Sequence, residues 1–564
     1  YLIIMESSLF EKLKPSKFKK IYSSFITAYN SYSLLRKELP HFLRSSSPGK
    51  VEKRILITGT GYFGAPIEAI YAAALRTIGY ETFVVTQWDP FVAKIFRLFG
   101  IINVIYYNSY NKHLPLRNFI DKARQILDDL PFEDILKFTN KGSYCGKYAA
   151  SSFMRITRKS NFIFSSDQEK KIFIKQLASS LRASELANLI IKDIEPQILL
   201  ANDRGYTPEG QIFDVCLHNK IPVIQRCGSQ KSGWEILKRY SSSDMSRLHH
   251  HSLSGESWKK VKDIPWKEEL WQKLHDQIRS TYVSGDWFSE VGTQFNKKLY
   301  SKEELCLKLG LLPDKKTAVI FPHIFWDATF FWGEDLFADY YDWFINVLKV
   351  AKANTNLNWI IKIHPANIVK AKRDNYRGEQ KELAAVDEIL GELPGHIKLI
   401  PPASDINTYS LFSLMDYCLT VRGTTGIESA MFGVKTLTAG TGRYDRLGFT
   451  EDFDSRDEYL KCIKNLHELS PMDNDQIESA RRFAYGAFIL RPCHIDIFDY
   501  RYCQDERATI KFSPIFKSEE EFVESGFVRK ICSFVSSGKE DFMDWDYAKR
   551  VFLETPKCPS RHFD

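Results

Sequence analysis

The chain has 564 residues, 44% hydrophobic and 26% charged, a globular balance that excludes disorder over its length. At roughly 100–200 residues per domain it predicts about three to five folding units. Lys+Arg 78 against Asp+Glu 70 leaves a net charge of +8, which suits anionic ligands or a membrane surface but lacks the dense basic stripe of a nucleic-acid binder, so no nucleic-acid partner is expected.

Ten cysteines form no Cys-x-x-Cys pair, the start from Tyr1 to Met5 is too short for a signal sequence, and no apolar run nears the roughly 20 residues of a membrane span. A reduced, soluble, cytoplasmic protein is expected. Residues 1–50 read as a basic amphipathic segment and linker. Phe10, Leu13, Phe18, Ile21 and Phe25 recur near helical spacing among Lys12, Lys14, Lys17, Lys19 and Lys20. Such a helix either makes a peripheral contact with anionic lipid at the inner face of the membrane or packs on its own domain with a solvated lysine face.

From Arg54 short apolar runs alternate with helical stretches, the mark of βαβ units and parallel sheet. Strands are predicted at 54–58, 82–86, 103–106, 197–201 and 222–225. Residues 228–295 lose this rhythm and read as an insertion at the end of an N-terminal domain of 51–295. His249-His-His251 within it reads as a solvated loop, because adjacent residues do not converge on one ion. The alternation restarts with strands at 317–321, 359–363, 397–400, 417–421 and 435–438, which gives a second domain of 296–500. Residues 501–564 are aromatic and charged, are predicted helical, and are expected to cross back to the first domain. The expected class is α/β: two Rossmann-like doubly wound domains facing a cleft, with ligands at the carboxyl ends of the strands.

Residues just after each strand therefore carry the chemistry. Gly59-Thr-Gly61-Tyr-Phe-Gly64 matches the dinucleotide fingerprint, but the second strand ends in Val85-Thr-Gln without the acidic residue of an NAD site. It reads as an acceptor or other ligand loop, with an NAD(P) oxidoreductase as an alternative. Asp203 and Glu209 follow the fourth strand, and either serves as a general base or caps the next helix. His323 and His364 both end strands, His364 inside Lys362-Ile-His-Pro365. A histidine beside a lysine suits a phosphate that gains charge on leaving. Arg422-Gly-Thr424-Thr425-Gly-Ile-Glu428 opens a helix as an anion cradle, with Glu428 placed to take a ribose's vicinal hydroxyls and Gly440-Thr-Gly442-Arg443 closing the same site. No Asp-x-Asp pair follows a strand at either cleft edge and no His/Cys cluster at metal spacing is present, so no metal is expected.

Lys362-Ile-His-Pro365, Arg422-Gly-Thr-Thr-Gly-Ile-Glu-Ser-Ala-Met-Phe-Gly433 and Phe321-Pro-His-Ile-Phe-Trp-Asp327 resemble the bacterial capsule polysaccharide biosynthesis family, which includes Kdo transferases. The resemblance spans about residues 315–445. It implies a metal-independent GT-B glycosyltransferase without a cofactor, in which His364, Thr424 and Thr425 hold the phosphate of a nucleotide-activated sugar (a CMP-Kdo-like or other donor) and the acceptor is a surface polysaccharide or glycolipid. Two other readings stay open besides the oxidoreductase: a phosphotransferase using a CDP-alcohol, and a non-catalytic partner in polysaccharide assembly.

Overall fold

The computed structural model describes residues 15–45, 53–61, 64–87, 89, 91–110, 112–202, 204–288, 294, 296–327, 329–503 and 509–548. Asp203 and the side chains of the Lys12–Lys20 stretch lie outside what it describes, and so does the segment beyond 548. Among the described residues no helix is long and apolar enough to cross a membrane.

Two α/β sheets dominate. The first contains β1 (Lys53–Gly59), β2 (Tyr80–Thr86), β3 (Asn103–Tyr106), β4 (Ile198–Ala201), β5 (Val223–Gly228) and β6 (Trp234–Tyr240). The second contains β7 (Thr317–Ile320), β8 (Asn358–Lys362), β9 (Ile397–Ile400), β10 (Tyr417–Thr420) and β11 (Lys435–Thr438). Strands such as β4, β7, β8 and β10 are buried at every position, as parallel strands covered by helices on both faces must be. The parallel part of each sheet runs in the same order, β3-β2-β1-β4-β5 in the first and β9-β8-β7-β10-β11 in the second. The strand order thus reverses beside β1 and β4 in one sheet and beside β7 and β10 in the other. Open sheets of this kind form crevices at those reversals.

The domain boundaries differ from those read in sequence, and packing supplies the reason. The N-terminal helix Pro15–Glu38 is no separate unit: Ala28 and Leu35 join the core of the first domain with Ile55, Ile70 and Phe96. Strand β6, inside the stretch read as an insertion, pairs antiparallel with β5 and extends the first sheet. The helices Gly255–Lys262 and Glu268–Ser284 bury Trp258, Leu274 and Ile278 in the second domain, against Met431 and Phe483. A π-helical turn, Gly486–Leu490, then returns the chain to the first sheet, where β12 (Cys493–His494) pairs with β6. Where helix was predicted from residue 501 onward, β13 (Phe498–Cys503) instead pairs antiparallel with β14 (Thr509–Pro514). The helix Gly526–Ser537 packs Phe527 against Tyr71 of the first domain.

This return is held by buried charge. Asp541 Oδ1 accepts from Lys238 at 3.0 Å, lies 3.7 Å from Arg491, and its Oδ2 accepts from the Ser254 amide at 2.7 Å; Lys238 and Asp541 side chains are both 0% exposed. Burial alone would raise the Asp541 carboxyl, but Lys238 and Arg491 bring it down to about 2. Its stabilising contribution is therefore present above the unfolded carboxyl range and is lost as pH falls towards 2. Asp541→Ala is expected to destabilise the fold by about 3–5 kcal/mol, because it takes the carboxylate from buried Arg491 and leaves buried Lys238 with Glu540 alone. Denaturant unfolding at neutral pH checks this, and a change under 1 kcal/mol would contradict it.

Candidate functional site

A cavity of about 360 Å³ opens at the carboxyl ends of β7, β8 and β10, the reversal point of the second sheet. The structure brings His323, Lys362, His364, Arg422, Thr424, Thr425, Glu428 and Arg443 together on its wall, and adds Asp327 and Lys370.

Each side chain is fixed by a local bond. Pro365 ends the run after β8 and starts the helix Ala366–Asp374, whose first amide donates to His364 Nδ1 at 3.1 Å. Nδ1 is thus a lone pair and Nε2 carries the hydrogen. The His364 ring is itself open to the cleft, and the surrounding walls with the ammonium charges of Lys370 and Lys362 push its pKa down to about 4. At neutral pH it is an uncharged N–H donor on the cavity wall. His323 Nε2 accepts the Arg422 amide at 3.3 Å and its ring stacks on Tyr340 at 4.5 Å. Burial and the nearby Arg422, His364 and Arg443 hold it at about 3. A ring whose Nε2 is taken by a backbone amide and whose face is covered by Tyr340 is a wall group, with no lone pair turned to a substrate proton.

The cations divide into two kinds. Arg422 is spent internally: its guanidinium pairs with Asp335 and donates to the Thr441 and Glu334 carbonyls at 3.0 and 3.2 Å. Arg443 takes the place expected for it, donating to Thr424 Oγ1 at 2.7 Å and to the Arg422 carbonyl at 3.1 Å. Among the described residues neither Arg443 nor Lys362 has a carboxylate within 4 Å, although they are 8% and 3% exposed; Arg443 feels the Glu428 carboxyl only from beyond that distance. Burial lowers both, Arg443 to about 10 and Lys362 to about 7, the latter helped by Lys297. The helix Thr424–Met431 starts between them at Gly423, which gives no side-chain cap, so its first amides face the same space. Two buried cations, a helix N-terminus and a neutral imidazole N–H converge on an anion-sized volume.

Glu428 sits elsewhere in the chemistry than the sequence suggested. Its carboxylate accepts from Tyr282 Oη and from Trp287 Nε1, both at 2.8 Å, and those two rings stack at 5.1 Å. Burial raises it to about 7 despite the two donors. It anchors an aromatic wall on the 282–288 segment rather than standing open for a ribose.

The three histidines expected in a solvated loop are instead packed inward: His249 and His250 lie on Trp332 at 4.5 and 5.1 Å, and His251 is 8% exposed. His250 and His251 approach Cys227, with ligand atoms within 4.8 Å of one another. Adjacent histidines thus converge more than the sequence argument allowed. Arg443, which can only donate, gives its N–H to His251 Nδ1 at 3.2 Å, so the ring hydrogen sits on Nε2, 3.5 Å from Cys227 Sγ. That tautomer leaves no lone pair on Nε2 for a cation, and Arg204, Arg443 and Arg491 set a positive field there. We assign no metal to it.

Glu209, Gly59 and Gly61 line a second cavity of about 540 Å³ at the reversal point of the first sheet; the two cavities share no lining residue. Gly61 has the left-handed backbone, φ 89°, with open space beside it. Gly64 does not line the cavity; a Cβ there would meet Thr60 Oγ1 at 1.8 Å. Thr60 in turn gives its amide and hydroxyl to Glu68, which is ion-paired to Arg226 at 3.3 Å. The chain's own carboxylate thus stands where the fingerprint would cradle a dinucleotide's pyrophosphate.

No protein-family model and no curated protein matches the sequence. Solved structures with partial likeness include Thermosulfurimonas dismutans KpsC as a beta Kdo 2,4 transferase (12% identity, 58% of this chain and 87% of that one, TM-score 0.32) and as a beta Kdo 2,7 transferase (14%, 62% and 89%, TM-score 0.32). Another is the S. aureus MnaA–UDP co-structure (13%, 78% and 94%, TM-score 0.28).

The charge pattern has a pH consequence. Sulfate, whose own charge is fixed from pH 6 to 9, is expected to bind more weakly as pH rises, because Lys362 loses its proton from about 7 upward. The histidines are neutral throughout this range and add nothing. Calorimetric titration across these pH values checks it; affinity that is flat or rises with pH would contradict it.

Proposed function

We propose that the chain is a glycosyltransferase that takes a nucleotide-activated sugar in the second-domain cavity and a glycan or glycolipid acceptor in the first-domain cavity. The observation that carries the reading is the pair of buried cations without a carboxylate in contact, Lys362 and Arg443, beside the uncapped start of the helix Thr424–Met431. An uncompensated buried cation is costly, and a phosphate group is the ligand whose charge and three-fold acceptor geometry compensates all of these donors together.

The roles follow from position. His364 Nε2–H, the Thr424 and Thr425 amides, Lys362 and Arg443 hold the phosphate and stabilise the charge it gains as the sugar leaves. Tyr282 and Trp287, fixed by Glu428, form the apolar side of the same cavity. In the other cavity Ser152, Gln176, Thr207 and Glu209 present hydrogen-bonding side chains of the kind that meet sugar hydroxyls. None of these steps uses a metal ion or an organic cofactor. A capsule-type acceptor and a CMP-linked donor remain the identities that the sequence resemblance favours.

A thermal-shift series with CMP, CDP, UDP and GDP tests the reading. A ligand at a hundredfold excess over its Kd stabilises by about 2.7 kcal/mol, so at least one nucleotide should raise the melting temperature measurably. The shift is expected to be lost in a His364→Ala, Thr425→Ala double variant. Equal shifts in both proteins, or none with any nucleotide, would remove the assignment.

A further inference from the structure

Between the two cavities stands a cross-domain bond. Tyr206, on the wall of the first-domain cavity, donates its hydroxyl to Asp327 Oδ1 at 2.9 Å, and Asp327 lies on the wall of the second-domain cavity with His364. The other carboxylate oxygen accepts from Lys370. Its side chain is 24% exposed, so the carboxylate meets the cavity rather than the core.

The loop that carries Asp327 is seated in both domains. Trp326 lies under the Arg158 guanidinium at 3.5 Å, the Thr329 carbonyl accepts from Ser151 Oγ at 2.5 Å, and Trp332 lies against Arg204 at 4.4 Å. Arg155 covers the Tyr206 ring at 4.4 Å. With its flanks held in this way, the Asp327 carboxylate has a fixed place at the seam. A donor whose phosphate sits on His364 and Lys362 would put its anomeric carbon toward that seam, and an acceptor in the first-domain cavity would reach the same seam from the other side.

On the basis of the transferase reading above, we propose that Asp327 is the catalytic carboxylate that receives the acceptor hydroxyl, and that Tyr206 Oη holds that hydroxyl's place until the acceptor displaces it. The step is a single displacement. The acceptor oxygen forms its bond to the anomeric carbon, the bond from that carbon to the phosphate oxygen breaks, and the electron pair leaves on the phosphate. The acceptor's proton passes to Asp327 Oδ1. Burial would raise this carboxyl, but Lys370, Arg155 and Tyr206 bring it to about 2. So weak a base takes the proton late, after carbon–oxygen bond formation has made the oxygen strongly acidic.

Water can occupy the acceptor's place, which makes nucleotide release from a sugar nucleotide the readout. The full chain, Asp327→Asn and Tyr206→Phe are each incubated with CMP-Kdo, CMP-N-acetylneuraminate, UDP-N-acetylglucosamine and GDP-mannose, and free nucleotide is measured alongside the melting temperature with CMP, UDP and GDP. The proposal expects slow release by the unaltered chain, release raised several-fold in Tyr206→Phe, and release lowered at least a hundredfold in Asp327→Asn, with the nucleotide shift kept in all three. Release by Asp327→Asn equal to that of the unaltered chain, or no release by any protein, would overturn it. Loss of the nucleotide shift in Asp327→Asn alone would overturn it too, by making the residue a structural support. No nucleotide shift in the unaltered chain would instead overturn the transferase reading on which it rests.

Discussion

Two positive charges buried without a carboxylate, Lys362 and Arg443, set the terms for the rest of the molecule. A lysine that is 3% exposed keeps its charge only at a cost, and here its pKa falls to about 7. By contrast, Arg226 lies between Glu68 and Glu235, Lys238 lies between Glu540 and Asp541, and the buried Arg239 is spent on the Phe534, Val535 and Lys539 carbonyls. At the strand-order reversal of the second sheet the helix Thr424–Met431 adds its own positive end to Lys362 and Arg443. The fold thus gathers donors without a contacting carboxylate at that crevice.

The surrounding elements keep that crevice shaped. Arg422 ties the turn after β10 to Asp335 and the 440–442 turn, which leaves Arg443 to face Thr424. Glu428 ties the 282–288 segment to the same helix, so the aromatic wall and the cationic wall are set by one element. The return of the chain through Arg491 and Asp541 brings the first domain against the second. The two cavities then meet at a seam closed by Tyr206 and Asp327.

Much of this was legible in the amino-acid order, because the βαβ rhythm places ligands at strand ends, where Lys362 closes one strand and His364 and Thr424–Thr425 come soon after strands. What was hidden depends on partners distant in the chain. Nothing near Glu428 reveals that Tyr282 and Trp287, 146 and 141 residues away, use both its oxygens. Arg422 and Arg443 follow neighbouring strands with similar turns, and only the placement of Asp335 decides which guanidinium is spent. Asp327 sits in an aromatic run whose partner Tyr206 is 121 residues distant. The helices 255–262 and 268–284 show an ordinary amphipathic pattern, and the second-domain side chains that cover them come some 150–230 residues later.

The central claim is that Lys362 is held buried for an anion and costs stability without one. The most direct measurement is the melting temperature of Lys362→Met, with and without the nucleotide that stabilises the unaltered chain. The account expects the free variant to be as stable as the unaltered chain or more so, since a neutral side chain of similar length removes an uncompensated buried charge, and expects most of the nucleotide's stabilisation to disappear. A free variant that is clearly less stable, and that nucleotide still stabilises in full, would contradict it.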